Sequence, residues 1–89
     1  MRARRVVISG RVQGVGYRDW LVAEAQATGV DGWVRNRPDG AVEALFYGET
    51  DVVEELLRAC RRGPRSAVVS RIEEQWAEPP TEPGFARKP

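Results

Sequence analysis

Eighty-nine residues suit one domain around a single core, burying roughly 60 to 65% of the surface the unfolded chain exposes. Fourteen basic and thirteen acidic residues nearly cancel, which argues against nucleic acid or an anionic membrane as the main partner. The lack of any histidine removes Ser-His and Cys-His catalysis, histidine metal ligands and histidine general bases together.

One cysteine, Cys60, cannot close an internal disulfide, and its place on an apolar helix face predicts a buried small hydrophobe, not a nucleophile. The basic start, Arg2 to Arg5, leads into only Val6 to Ile8, too short for a signal peptide. No run reaches transmembrane length. A cytoplasmic protein is expected, and with no obvious exposed apolar strip, a monomer.

The first strand is predicted from Arg4 to Val12, its successive apolar residues fitting a central strand. A helix follows from Tyr17 to Thr28, with its buried side expected through Tyr17, Trp20 or Leu21, Ala23 and Ala27. Gly29 is a natural stop. Val30 to Asn36 reads as a second strand, and Trp33 within it reads as core. Arg37-Pro38-Asp39-Gly40 is strong turn chemistry, so Ala41 to Tyr47 should return as an antiparallel partner. Thr50 or Asp51 is expected to cap a second helix that buries Val53, Leu56, Leu57 and Cys60, with Arg58, Arg61 and Arg62 in solvent near its negative end. Gly63-Pro64 ends it. A fourth strand, Ala67 to Trp76, loses its alternation near Ser70-Arg71, where a turn or bulge is expected. A proline-rich loop over 78–84 then leads to Phe85–Arg87, a candidate short edge strand.

The stretch Gly10-Arg-Val-Gln-Gly-Val-Gly-Tyr-Arg18 is unusual. Gly14 and Gly16 let the backbone turn its N–H groups inward just before a helix N-terminus, an anion-binding geometry. Arg18 falls in the first helical turn, where the macrodipole disfavours a cation; a bound anion would remove that conflict. An ordinary strand-to-helix connection with a solvated Arg18 is the alternative. Two familiar phosphate motifs are excluded: no Gly-Lys-Ser/Thr follows, and Asp19 occupies the third glycine of a dinucleotide fingerprint.

The run Gly10 to Arg18 resembles the phosphate-binding signature of the acylphosphatase family. Gly32-Trp33-Val34-Arg35-Asn36, followed by Gly40-Ala41-Val42 and Gly48, is similar to that family's second signature, in the same order and at a matching separation. Tyr17 departs mildly, since phenylalanine is frequent at that place in the family. Element order and the resemblance imply one fold: an α+β, ferredoxin-like βαββαβ sandwich over residues 1–89, with a four-stranded antiparallel sheet, both helices on one face and a possible fifth edge strand.

The resemblance implies hydrolysis of an acyl phosphate to a carboxylate and inorganic phosphate. The backbone amides of Gln13, Gly14, Val15, Gly16, Tyr17 and Arg18 would hold the phosphate oxygens, and the Arg18 guanidinium would grip two of them. Asn36, which taken alone could simply bond its own turn, is implied to orient the attacking water. No cofactor and no metal is expected, because the acidic residues are scattered; partners would be a small acyl phosphate and phosphate or sulfate ions. Rival readings are a non-catalytic anion-binding module and an RNA-binding sheet. The second lacks an aromatic on the first strand.

Overall fold

The computed structural model describes residues 2–89. Its strands are β1 (Ala3–Arg11), β2 (Asp31–Asn36), β3 (Val42–Tyr47), β4 (Val68–Ala77) and β5 (Phe85–Arg87), and its helices are α1 (Tyr17–Thr28) and α2 (Thr50–Arg62). They form one five-stranded sheet in the order β4-β1-β3-β2-β5. The first four strands are antiparallel neighbours, whereas β5 runs parallel to β2. The sheet is therefore mixed, and the candidate edge strand is real: Phe85 is buried and stacks on Phe46 with ring centroids 5.8 Å apart. Together with the two helices on one face this is the ferredoxin-like α+β arrangement.

Alternation along the strands decides what each side of the sheet meets. Val6, Ile8, Val34, Val42, Ala44 and Phe46 point toward the helices and join Tyr17, Leu21, Ala25, Val53, Leu56, Leu57 and Cys60 in the core. β1 is central, as its apolar run requires. α2 buries the four residues its spacing indicates. Its cap lies one residue before the earlier of the two expected: Glu49 holds that position without a side-chain bond, and its carbonyl accepts from Val53 N–H at 2.9 Å. Asp51 lies in the first turn instead, where its charge suits the dipole.

α1 differs more. Its buried line is Tyr17, Leu21 and Ala25, while Ala23 and Ala27 are exposed. Trp20 is half-buried, its ring edge-on to Tyr17 at 5.3 Å. Alanines on every side of a helix leave its phase ambiguous, because they fit against a sheet or in water with little difference. Trp33 also departs from the core expectation. It lies on the helix-free face of the sheet, with Arg35 Cζ 5.6 Å and Lys88 Nζ 4.8 Å from its ring centroid. The irregularity expected in β4 is present: Ser9 pairs with Arg71 but Gly10 with Val69, so Ser70 is the extra residue of a bulge.

Candidate active site

The connection between β1 and α1 carries the cradle. Gly14 (φ +74°) and Gly16 (φ +80°) both have left-handed backbone, and open space surrounds both, so backbone conformation and not crowding calls for glycine. Val12 is buried and Val15 packs on the core, which fixes the loop at two points. Gly16 is the N-cap of α1 and provides no side-chain cap. Among the described residues no group of the protein accepts a hydrogen bond from the amides of residues 13 to 18. A bend of unclaimed N–H groups running into a helix start has the geometry of an anion nest.

Arg18 sits on that first turn, half-buried. Among the described residues no carboxylate lies within ion-pair distance of its guanidinium. Its neighbour Asp19, the obvious candidate, is bound by Arg87 at 2.5 Å. The positive end of the dipole and the uncompensated charge of Arg18 thus stand at the same place.

Asn36 is the last residue of β2. Strand pairing sets Ile8, Val42 and Asn36 in one row across the sheet. Residues opposed in this way share a face, and Ile8 and Val42 are core residues. The Asn36 side chain therefore points to the side occupied by α1. Its Oδ1 is buried and has no hydrogen-bond partner. A buried acceptor without a donor is uncommon in folded proteins and marks a place where a water or ligand donor is required.

The side chain of Gln13 joins the two parts. Its Nε2 donates to the carbonyls of Arg37 at 2.8 Å and Ala41 at 2.9 Å, bracing the cradle against the turn that begins one residue after Asn36. The turn is itself closed by Arg37 N–H on Ala41 O at 2.9 Å and by Ala41 N–H on Asp39 Oδ1 at 3.0 Å. That second bond, followed by the pairing with Arg37, holds the Asp39 carboxyl below the usual range despite slight desolvation. Candidate residues from three places in the chain thus lie at one rim of the sheet, where β1 and β2 both end.

Behind this rim, on the other face, Glu43 is buried between two arginines. It accepts from Arg5 Nε at 2.5 Å and from Arg35 Nε at 2.7 Å. Burial alone would raise its pKa, but the bonds from Arg35 and Arg5 outweigh that and keep the carboxyl below its ordinary value. Cys60, the one thiol, is buried and pushed up to about 12 by desolvation, which suits a packing role.

The acylphosphatase family profile matches residues 4–87 of the chain. The chain belongs to the acylphosphatase family. An acylphosphatase of Acidiphilium cryptum is 58% identical over 99% of this chain and 97% of its own length. One from Rhodospirillum rubrum is 52% identical over 100% and 98%. The crystal structure of acylphosphatase from Bacillus subtilis superposes with a TM-score of 0.92 at 31% identity, covering 99% of both chains. The molecule is thus an acylphosphatase enzyme, a hydrolase of acyl phosphates, in keeping with its family.

Two side-chain bonds are not indicated by the sequence, from which Gln13 is expected to act through its backbone amide and Tyr17 through its amide and a packed ring. The Gln13 latch depends on a loop-to-turn approach of 24 and 28 residues, which no local pattern encodes. The Tyr17 hydroxyl donates to the carbonyl of Cys60 at 2.6 Å, across the two helices. The substitution of tyrosine for the family's frequent phenylalanine was the available signal.

Proposed function

We propose that the enzyme hydrolyses acyl phosphates by holding the phosphoryl group in the amides of Gln13, Gly14, Val15, Gly16, Tyr17 and Arg18, with the Arg18 guanidinium spanning two phosphate oxygens and Asn36 aiming the water. The observation that carries this reading is the buried, unpartnered Oδ1 of Asn36 on the helix side of the same rim as a nest of unclaimed N–H groups.

A mixed anhydride already has a good leaving group, so positioning and charge neutralisation supply most of the catalysis. Water oxygen attacks phosphorus while the bond from phosphorus to the acyl oxygen breaks and the carboxylate departs. The water's proton goes to a phosphoryl oxygen, since Asn36 accepts a hydrogen bond but does not titrate. The amides and Arg18 take the charge that shifts onto the phosphoryl oxygens.

The test is benzoyl phosphate hydrolysis with a chelator present, alongside inorganic phosphate as competitive inhibitor. Wild type should turn over unaffected by the chelator. Asn36→Ala should lose about 10²- to 10³-fold in kcat and retain phosphate inhibition. Arg18→Ala should lose both turnover and inhibition, because the cradle then has no formal charge. Near-normal kcat in Asn36→Ala would remove the water-aiming role, and metal-dependent turnover would overturn the mechanism.

A further inference from the structure

The Tyr17 side chain has a role beyond packing. Tyr17 is the first residue of α1 and its backbone belongs to the cradle, yet its hydroxyl reaches the far helix, donating to Cys60 O at 2.6 Å in a buried setting. The last turn of a helix leaves carbonyls without intrahelical donors. Here Gly63 N–H serves Ala59 O at 2.9 Å. The carbonyl of Cys60 would look to residue 64, which is proline and has no N–H to give. The tyrosine supplies the missing donor. The ring is seated as closely as the hydroxyl: a Cβ added to Gly63, itself at φ +66°, would lie 2.7 Å from Tyr17 Cε2.

At its own end, α1 is held by Val15 packed on the core, by the Asp19–Arg87 pair and by Trp20 N–H on Gly16 O at 3.0 Å, none of which reaches the other helix. Gly16 offers no side-chain cap, and the N–H groups of the first turn are left free within the protein. What ties that turn to the second helix is the tyrosine wedged against the C-terminal end of α2. From this geometry we infer that Tyr17 is a positioning residue for the anion cradle, its hydroxyl bond to Cys60 O setting the direction in which the amides and Arg18 of the first helical turn present themselves to a phosphoryl group. Burial, followed by the neighbouring Cys60, raises the hydroxyl pKa strongly. The group therefore remains a donor throughout the working pH range.

The inference rests on the cradle being the phosphate site. Its test uses inorganic phosphate and calorimetric titration, which reads binding without turnover. Tyr17→Phe keeps the ring and deletes only the donor, so the fold should survive with a lower unfolding temperature. Thr28→Ala is the comparison, because it removes the Thr28 Oγ1 bond to Ala25 O (2.9 Å) at the opposite end of α1. Both variants should melt earlier. Only Tyr17→Phe should bind phosphate more weakly, by about fivefold, with KM for benzoyl phosphate rising in parallel and kcat changing less. Equal phosphate affinity in Tyr17→Phe and wild type overturns the positioning role and leaves the cradle standing. Equal weakening in Thr28→Ala also overturns it, since loss of any helix-end bond would then suffice. Wild type that fails to bind phosphate overturns the cradle and this role together.

Discussion

Arg18 shows how much one side chain can be asked to do when its neighbours are committed elsewhere. Asp19 belongs to Arg87, and Arg5 and Arg35 belong to Glu43. Among the described residues the guanidinium at the cradle has no such partner, and in the proposed mechanism it serves the substrate. A planar fork can meet two phosphate oxygens at once, whereas an ammonium offers a point charge on a flexible stem. Arg18→Lys is accordingly expected to stay at least about tenfold below wild type in kcat/KM for benzoyl phosphate. Recovery to wild-type values would show that charge alone is enough. Asn36 makes the complementary case. Its side chain was recognisable only through the resemblance, because asparagine before a turn has an ordinary local explanation. In the structure no bond within its own turn engages its Oδ1, and the strand register instead aims the side chain at the helices.

Among the elements, those with strong local grammar were the legible ones. The Pro-Asp-Gly turn, the amphipathic α2 and the β-branched β1 are each dictated by residues within a few positions of one another. The bulge at Ser70 was legible for the same reason, since a break in alternation is a local event. What the sequence left open was decided across long separations. The parallel docking of β5 beside β2, the phase of the alanine-rich α1 and the exposed-face position of Trp33 depend on which distant surface arrives. The Gln13 latch belongs with them. It ties the β1–α1 connection to the β2–β3 turn with two bonds from one amide, and Gln13→Ala would remove one of two donors from each carbonyl, leaving Gly40 N–H on Arg37 O and Arg37 N–H on Ala41 O. That variant is expected to lose about 1 to 2 kcal/mol of stability in urea unfolding and about tenfold in kcat, since Asn36 and the cradle would no longer share a fixed reference. Unchanged kcat in a destabilised Gln13→Ala would show the latch to be structural only.

For the molecule as a whole, acid should be the weak point. Glu43 has a folded pKa below its ordinary value. Its contribution is therefore complete above the unfolded carboxyl range and is lost as pH falls through the folded value. Protonation would leave Arg5 and Arg35 facing a neutral group on the helix-free face of the sheet, although both reach solvent and can rehydrate. Urea midpoints measured from pH 7 to pH 3 should fall steeply below about pH 4.5. Glu43→Gln should start lower and show a shallower decline, the remainder arising from the Asp39 turn and the Arg4–Glu54 pair. An acid profile identical in slope to wild type would place the sensitivity elsewhere.

The strand order has a kinetic consequence. Only β2 and β3 are joined as a local hairpin. β1, an interior strand, bonds on one side to β3, with Ile8 opposite Val42, and on the other to β4, with Ala3 opposite Ala77. Its two neighbours must be brought from far along the chain, so most of the loop-closure entropy is spent before the central ladder repays it. Assembly of this small enzyme should therefore be slow for its size, running in milliseconds to seconds and not in microseconds. The cradle hangs from the end of β1, so its geometry depends on strands paired across the whole chain.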